Sequence, residues 1–211
     1  MHRAARPRQA ATLVVYREGK AGTEILMGRR AGRHRFMPDF YVFPGGRLDP
    51  ADYRTKPLTP LRPEVHEQLS RSGGARQAQA LAIAAVRETY EETGLALGEP
   101  DAGAEGRLRP SLAPLDYILR AITPPTSPIR FHARFFAVDA GHVAGELRGN
   151  GELLDLDWRP IDECLRLPIA DVTEFLLRRW RSEDAIREKE KGERPEGVPL
   201  FSFRNGVARV R

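Results

Sequence analysis

Apolar positions along this chain follow two periods, close to 2 and close to 3.6, and the two alternate. Residues 11–17 (ATLVVYR) are almost continuously apolar, and residues 24–28 (EILMG) repeat the pattern beyond a turn between Gly19 and Gly22, which predicts a β-hairpin. Tyr41-Val42-Phe43 reads as a short strand stopped by Pro44. Residues 53–74 carry three prolines and the pair Gly73-Gly74, around a short amphipathic stretch at 63–70 that fits one or two helical turns. Over 77–93, Ala78, Leu81, Ala82, Ala85 and Val86 recur at helical spacing and predict the clearest helix of the chain.

Beyond it, residues 96–110 are rich in Gly, Pro and charge and read as a loop, while 112–122 mixes strand and helix signals. In 129–139, Phe131, Ala133, Phe135 and Ala137 alternate with other residues, so a strand is expected, and another over 152–159 ends at Pro160. A short helix over 161–166, a longer one over 171–180, a charged surface segment at 182–197 and an edge strand at 200–203 complete the pattern. No internal repeat is present. Strands and helices in this order predict an α/β fold, with a mixed sheet between helices and residues 1–211 as a single domain.

Composition narrows the class only slightly. Hydrophobic content of 41% and charged content of 30% are those of an ordinary globular protein, and no apolar run is long enough to span a bilayer. One cysteine, Cys164, excludes an internal disulfide framework and suits a reducing compartment, and the basic start MHRAARPRQA has no apolar core of a secretory signal. A cytoplasmic location is therefore expected. Net charge is +5 with a pI of about 9.7. Only four of the 34 basic residues are Lys (Lys20, Lys56, Lys189 and Lys191), so the rest are Arg, the side chain that grips phosphate bidentately. These charges are spread along the chain with no aromatic interleaving, so no nucleic-acid partner is expected. Arg29, Arg30, Arg33 and Arg35 are the exception and cluster just before Tyr41.

The chemistry concentrates in Arg87-Glu88-Thr89-Tyr90-Glu91-Glu92-Thr93-Gly94-Leu95. On a helix, Glu88, Glu91 and Glu92 stand at i, i+3 and i+4 and share a face. Their mutual repulsion is relieved by a cation, and carboxylate oxygens suit a hard one such as Mg²⁺. Arg87 lies four residues before Glu91 and can pair with it, and Gly94 is placed to end the helix in the left-handed conformation. Upstream, Phe43-Pro44-Gly45-Gly46 follows an apolar run, and Asp49 and Asp52 come next.

Gly46 together with Arg87, Glu88, Glu91, Glu92, Gly94 and Leu95 resembles the signature box of the Nudix hydrolase superfamily, G-x5-E-x7-R-E-U-x-E-E-x-G-U. Three departures stand out. Asp52 takes the place of the first Glu, Thr89 that of an aliphatic residue, and Arg87 lies 41 residues after Gly46, some 27 more than the pattern. The resemblance implies a Nudix-type α/β/α sandwich with residues 53–74 as an insertion inside the box, projecting beside the mouth of the site. It implies a Mg²⁺- or Mn²⁺-dependent pyrophosphohydrolase that cleaves a diphosphate linkage in a small-molecule nucleoside diphosphate derivative. The metal ligands would be Glu88, Glu91, Glu92 and the carbonyl of Gly46. Arg87 would orient a glutamate, and the base would be Glu91, Glu92 or an acid from elsewhere, with Glu152 and Asp52 as candidate additional acids.

The run from Leu26 to Gly46 partly resembles the segment preceding the box in coenzyme A diphosphatases, with Arg30, Ala31 and Arg35 matching and Gly28 and Asp39 departing. This implies coenzyme A or acyl-coenzyme A as substrate, its phosphates held by Arg30 and Arg35. The alternatives are a non-catalytic nucleotide-binding module on the same fold and an RNA-end pyrophosphohydrolase. No membrane partner is expected, and a homodimer is compatible with the pattern.

Overall fold

The computed structural model describes residues 5–20, 22–32, 37–101, 103, 107–182, 197–204 and 206–211. A nine-stranded mixed sheet organises them. The strands are β1 (Arg8–Gly19), β2 (Gly22–Arg30), β3 (Tyr41–Val42), β4 (Gly45–Arg47), β7 (Asp116–Ile122), β8 (Phe131–Asp139), β9 (Leu153–Pro160), β10 (Leu200–Arg204) and β11 (Val207–Val210). Their main order is β11-β10-β7-β8-β1-β2-β3, with β4 paired to β1 and β9 to β2. β1 runs parallel to β8 and antiparallel to β2. The helices are α1 (Pro63–Ser70), α2 (Ala75–Thr93), α3 (Ile161–Cys164) and α4 (Asp171–Arg181).

Two hydrophobic cores lie on the two faces of the sheet. Ala11, Leu13 and Val15 of β1 and Phe136 and Val138 of β8 pack with α1 and α2. Val14 of β1, Phe135 and Ala137 of β8 pack with α3 and α4. β1 and β8 are central strands buried on both faces, which is why β1 reads as nearly continuous apolar sequence. The helix–sheet–helix layering follows directly from these two cores.

The helix expected over 77–93 forms as Ala75–Thr93. Its predicted stripe is buried, and so are Ala80, Ile83 and Ala84. The extra burial has a cause: α1 covers the side of α2 that the sheet does not. Leu61, Val65 and Leu69 are buried in the same core as Leu81, Val86 and Phe136. Residues 53–74 therefore pack into the fold instead of projecting beside a site mouth, and only Tyr53 of this segment reaches the large pocket described below.

Other differences are local. Residues 96–110 contain a small hairpin, β5 (Gly98–Pro100) with β6 (Leu108–Pro110), where a loop was expected. β10 is an interior strand between β7 and β11, because β11 takes the sheet edge. The strand signal won in the ambiguous stretch, forming β7 as the antiparallel neighbour of β8. No helix among the described residues is long and apolar enough to cross a membrane.

Candidate active site

The site begins with two glycines. β4 pairs with β1 so closely that a Cβ on Gly45 would lie 2.6 Å from the Ala11 carbonyl oxygen. On Gly46 it would overlap the Glu88 carboxylate. Glycine is needed at Gly45 because the backbone of β1 leaves no room for a side chain, and at Gly46 a side chain would displace the Glu88 carboxylate from its present position. The α2 end is shaped as the sequence predicts: Gly94 adopts the left-handed conformation (φ 76°) and donates its N–H to Tyr90. Thr89, in the aliphatic position of the box, is buried, its hydroxyl satisfied by the Ala85 carbonyl at 2.8 Å.

Arg87 organises the acids. Its Nε donates to Asp52 Oδ1 at 2.8 Å and its Nη2 to Asp52 Oδ2 at 3.2 Å. Its Nη1 reaches Glu88 at 2.9 Å and Glu91 at 3.1 Å, and Nη2 also reaches the Arg47 carbonyl at 3.1 Å. Burial opposes its charge, but the bonds to Asp52 and the charges of Glu88, Asp52 and Glu91 outweigh burial and hold the guanidinium protonated. Asp52 is 1% exposed and serves as counter-ion to Arg87, away from the pocket surface.

Glu92 is buried, with Oε2 accepting the Gly45 N–H at 2.9 Å. Burial pushes its carboxyl up to about 8; the Gly45 bond opposes this, Glu88 and Glu152 add to it, and Arg30 pulls back. The Glu88 carboxyl is also raised, first by burial and then by Glu91 and Glu152, against the pull of Arg87. Glu88, Glu92 and Glu152 thus feel one another across α2 and the loop before β9.

One open pocket of about 1340 Å³ is lined by Glu88, Glu91, Glu92, Glu152, Arg87, Gly45, Gly46 and Arg30. Arg8 and Arg47 also line it, and neither stands out in the sequence. The lining also includes aromatic rings, Phe131 and Phe135 of β8 and Phe201 and Phe203 of β10. Strand alternation hints at Phe131 and Phe135, but the approach of β10 is a tertiary fact with no local signal. The pairing of Glu92 with a backbone N–H was equally invisible. Arg35 lies outside the described residues, as does most of the charged segment 182–197.

Among the described residues no three acidic, His or Cys side chains stand close enough together to hold a metal ion as they are. Glu88 and Glu91 are turned to Arg87, and Glu92 to Gly45. The donor set nonetheless suits a hard divalent cation, being all oxygen and crowded enough that burial and mutual repulsion lift two carboxyls above their ordinary range.

A NUDIX domain family model matches residues 6–179. A NUDIX hydrolase from Alicyclobacillus acidocaldarius is 32% identical, with a TM-score of 0.65 over 82% of this chain and 90% of that one. A MutT NUDIX hydrolase from Burkholderia pseudomallei shares the fold at 19% identity and TM-score 0.51, over 82% of this chain and 98% of its own. A MutT protein from Methanosarcina mazei does so at 16% identity and TM-score 0.51, over 85% and 96%. Fold and site together define a Nudix pyrophosphohydrolase. The chain belongs to the Nudix family.

Proposed function

We propose that this protein hydrolyses a diphosphate linkage with the help of a divalent cation, and that coenzyme A or an acyl-coenzyme A is its substrate. The observation that carries the reading is the composition of the pocket lining, which combines four carboxylates (Glu88, Glu91, Glu92 and Glu152), the arginines Arg8, Arg30 and Arg47, and the aromatic rings of Phe131, Phe135, Phe201 and Phe203. Arg30 lines this pocket with its Nε buried and without a hydrogen-bond partner. A polar atom left so is costly in the free protein and suited to a substrate phosphate. Coenzyme A carries three phosphates and a long, weakly polar arm; Arg8, Arg30 and Arg47 match the first, and Phe135, Phe201 and Phe203 the second.

Glu88, Glu91 and Glu92, with the Gly46 carbonyl, would hold Mg²⁺ or Mn²⁺. Held there, a divalent cation would supply charge neutralisation for the diphosphate and a more acidic water. The side chains do the rest. Arg30 grips an oxygen of the phosphate that does not react. Glu91 or Glu92 takes the proton of the attacking water as its oxygen bonds to phosphorus and the bridging P–O bond breaks. Burial raises the Glu92 carboxyl to about 8 in the free protein, so in the absence of a cation this group holds a proton at neutrality. Arg87 keeps Glu88 and Glu91 in register, and Glu152 adds a further acid at the rim. Residues 53–74 are read as an insertion in the box of a single domain spanning the chain, a reading supported by Asp52 and Arg87 meeting across it.

The test is a hydrolysis panel in Mg²⁺ and Mn²⁺ over coenzyme A, acetyl- and octanoyl-coenzyme A, ADP-ribose, NADH, dinucleoside polyphosphates and capped RNA. The expected outcome is the highest kcat/KM for a coenzyme A thioester. Preference for ADP-ribose or NADH would overturn the substrate, and inactivity on every compound would favour a non-catalytic binding module.

A further inference from the structure

A second cavity lies apart from the first and shares no lining residue with it. It measures about 160 Å³ and sits between the C-terminal end of α1, strand β7 and Val198. Its polar walls are Gln68, Arg71, Ser72, Tyr117 and Arg120, none of them a carboxylate; Gln68, Arg71, Tyr117 and Arg120 can donate into it, while the Ser72 hydroxyl donates to the Leu69 carbonyl at 3.2 Å. Arg120 Nε is buried with no partner.

Directly behind this wall stands Arg134, 0% exposed. Alternation along β8 puts it on the face opposite Ala133 and Phe135, which line the large pocket. Its Nη1 donates to Gln9 Oε1 at 2.6 Å and the His132 carbonyl at 2.9 Å, and its Nη2 to Ser72 Oγ at 3.2 Å and the Ser72 carbonyl at 3.3 Å. The Tyr117 hydroxyl also accepts from this guanidinium; these acceptors are all neutral, and Arg134 Nε has no partner.

Arg120 and Arg134 are also directly opposed in the β7–β8 register. Like charges facing each other across a strand pair repel. A buried charge without a counter-charge costs several kcal/mol. Among the described residues the one acid paired to this group is Glu67, which meets Arg71 at 3.0 Å where both side chains are more than half exposed. The positive field is felt next door: His132 is pushed down to about 4, by burial first and then by Arg134 and Arg120.

We propose that this cavity is a binding site for one tetrahedral oxyanion, held by Arg120, Arg71 and Tyr117 and backed by Arg134. An anion there supplies the missing counter-charge to two opposed guanidinium groups and a partner for the Arg120 Nε. The space admits roughly five waters, by the volume each occupies in the liquid, so it fits a phosphate group but not a whole nucleotide. The ligand is free phosphate or the phosphate end of a phosphomonoester.

Calorimetric titration of the full chain with inorganic phosphate, in EDTA and at constant ionic strength, tests this. Saturable binding is expected. It should survive Arg30→Gln, which alters the large pocket, and weaken by about tenfold or more in Arg120→Gln, the loss of one charge-assisted contact. Turnover of the best diphosphate substrate should stay unchanged in Arg120→Gln. Binding that disappears with Arg30→Gln and persists with Arg120→Gln would overturn the proposal, as would the absence of saturable binding in the unaltered protein. Arg71→Gln, on an exposed helix end, decides the same way if Arg120→Gln does not fold. Titration with 5′-AMP distinguishes the sources: tighter binding than phosphate assigns a phosphomonoester, weaker binding the free ion.

Discussion

Asp52 and Arg87 are joined by two hydrogen bonds across 35 residues of sequence. The geometry is the side-on pairing of a guanidinium fork with a carboxylate. It ties the loop after β4 to the acidic end of α2, so the glycine pair and the glutamates hold a fixed relation however long the chain between them. Asp52→Ala leaves the mostly buried Arg87 without its main partner. A loss of about 2–4 kcal/mol is expected, at the lower end for breaking a buried pair because water reaches part of Arg87. Urea denaturation measures it. Asp52→Glu should recover part of it.

Glu92→Gln retains an oxygen to accept the Gly45 N–H but no longer binds a cation or a proton at neutrality. We expect kcat to fall by roughly two to four orders of magnitude, and the same for Glu91→Gln, as for loss of a general base or electrostatic group. Normal turnover in both variants at saturating Mg²⁺ would sink the assignment.

Metal addition should be visible without any substrate. Glu88, Glu92 and Glu152 repel one another in the free protein. Mg²⁺ or Mn²⁺ should raise the melting temperature, EDTA should reverse the rise, and Glu88→Gln should shrink it markedly.

Arg30→Ala removes a contact common to bound substrate and transition state. KM is expected to rise about 10- to 100-fold, the worth of one charged hydrogen bond, with kcat little changed. Initial rates over a wide range of substrate concentration separate the two.

His132 makes stability depend on pH. Its folded value of about 4 lies below the ordinary 6.5, so between these values the unfolded chain binds the extra proton. The stabilisation of the neutral ring is complete above about pH 6.5 and is lost as pH falls towards 4. Melting temperatures across this range should decline less steeply in His132→Gln than in the unaltered protein.

Packing of residues 53–74 yields a different kind of expectation. Leu69 is 1% exposed within the α1–α2 core. Leu69→Ala should cost about 2–5 kcal/mol through the cavity it leaves. Substrate preference should be unaltered across the panel, since Leu69 does not line the large pocket.

Much of this molecule was determined by local sequence. The period of Ala78, Leu81, Ala82, Ala85 and Val86 specified α2, because one face of a helix must be apolar to pack on a sheet. Gly94 ended the helix because the left-handed conformation costs a glycine almost nothing. Glu88, Glu91 and Glu92 shared a face for the same geometric reason. Tertiary structure alone decided the rest. Leu61, Val65 and Leu69 form an apolar stripe that would serve a lid or a core equally well, and only the uncovered side of α2 made it core. Asp52 met Arg87, β10 brought Phe201 and Phe203 to Phe135, and Arg120 came to face Arg134 through pairings between distant segments. Strand register and helix docking set those distances, and no short stretch of sequence encodes them.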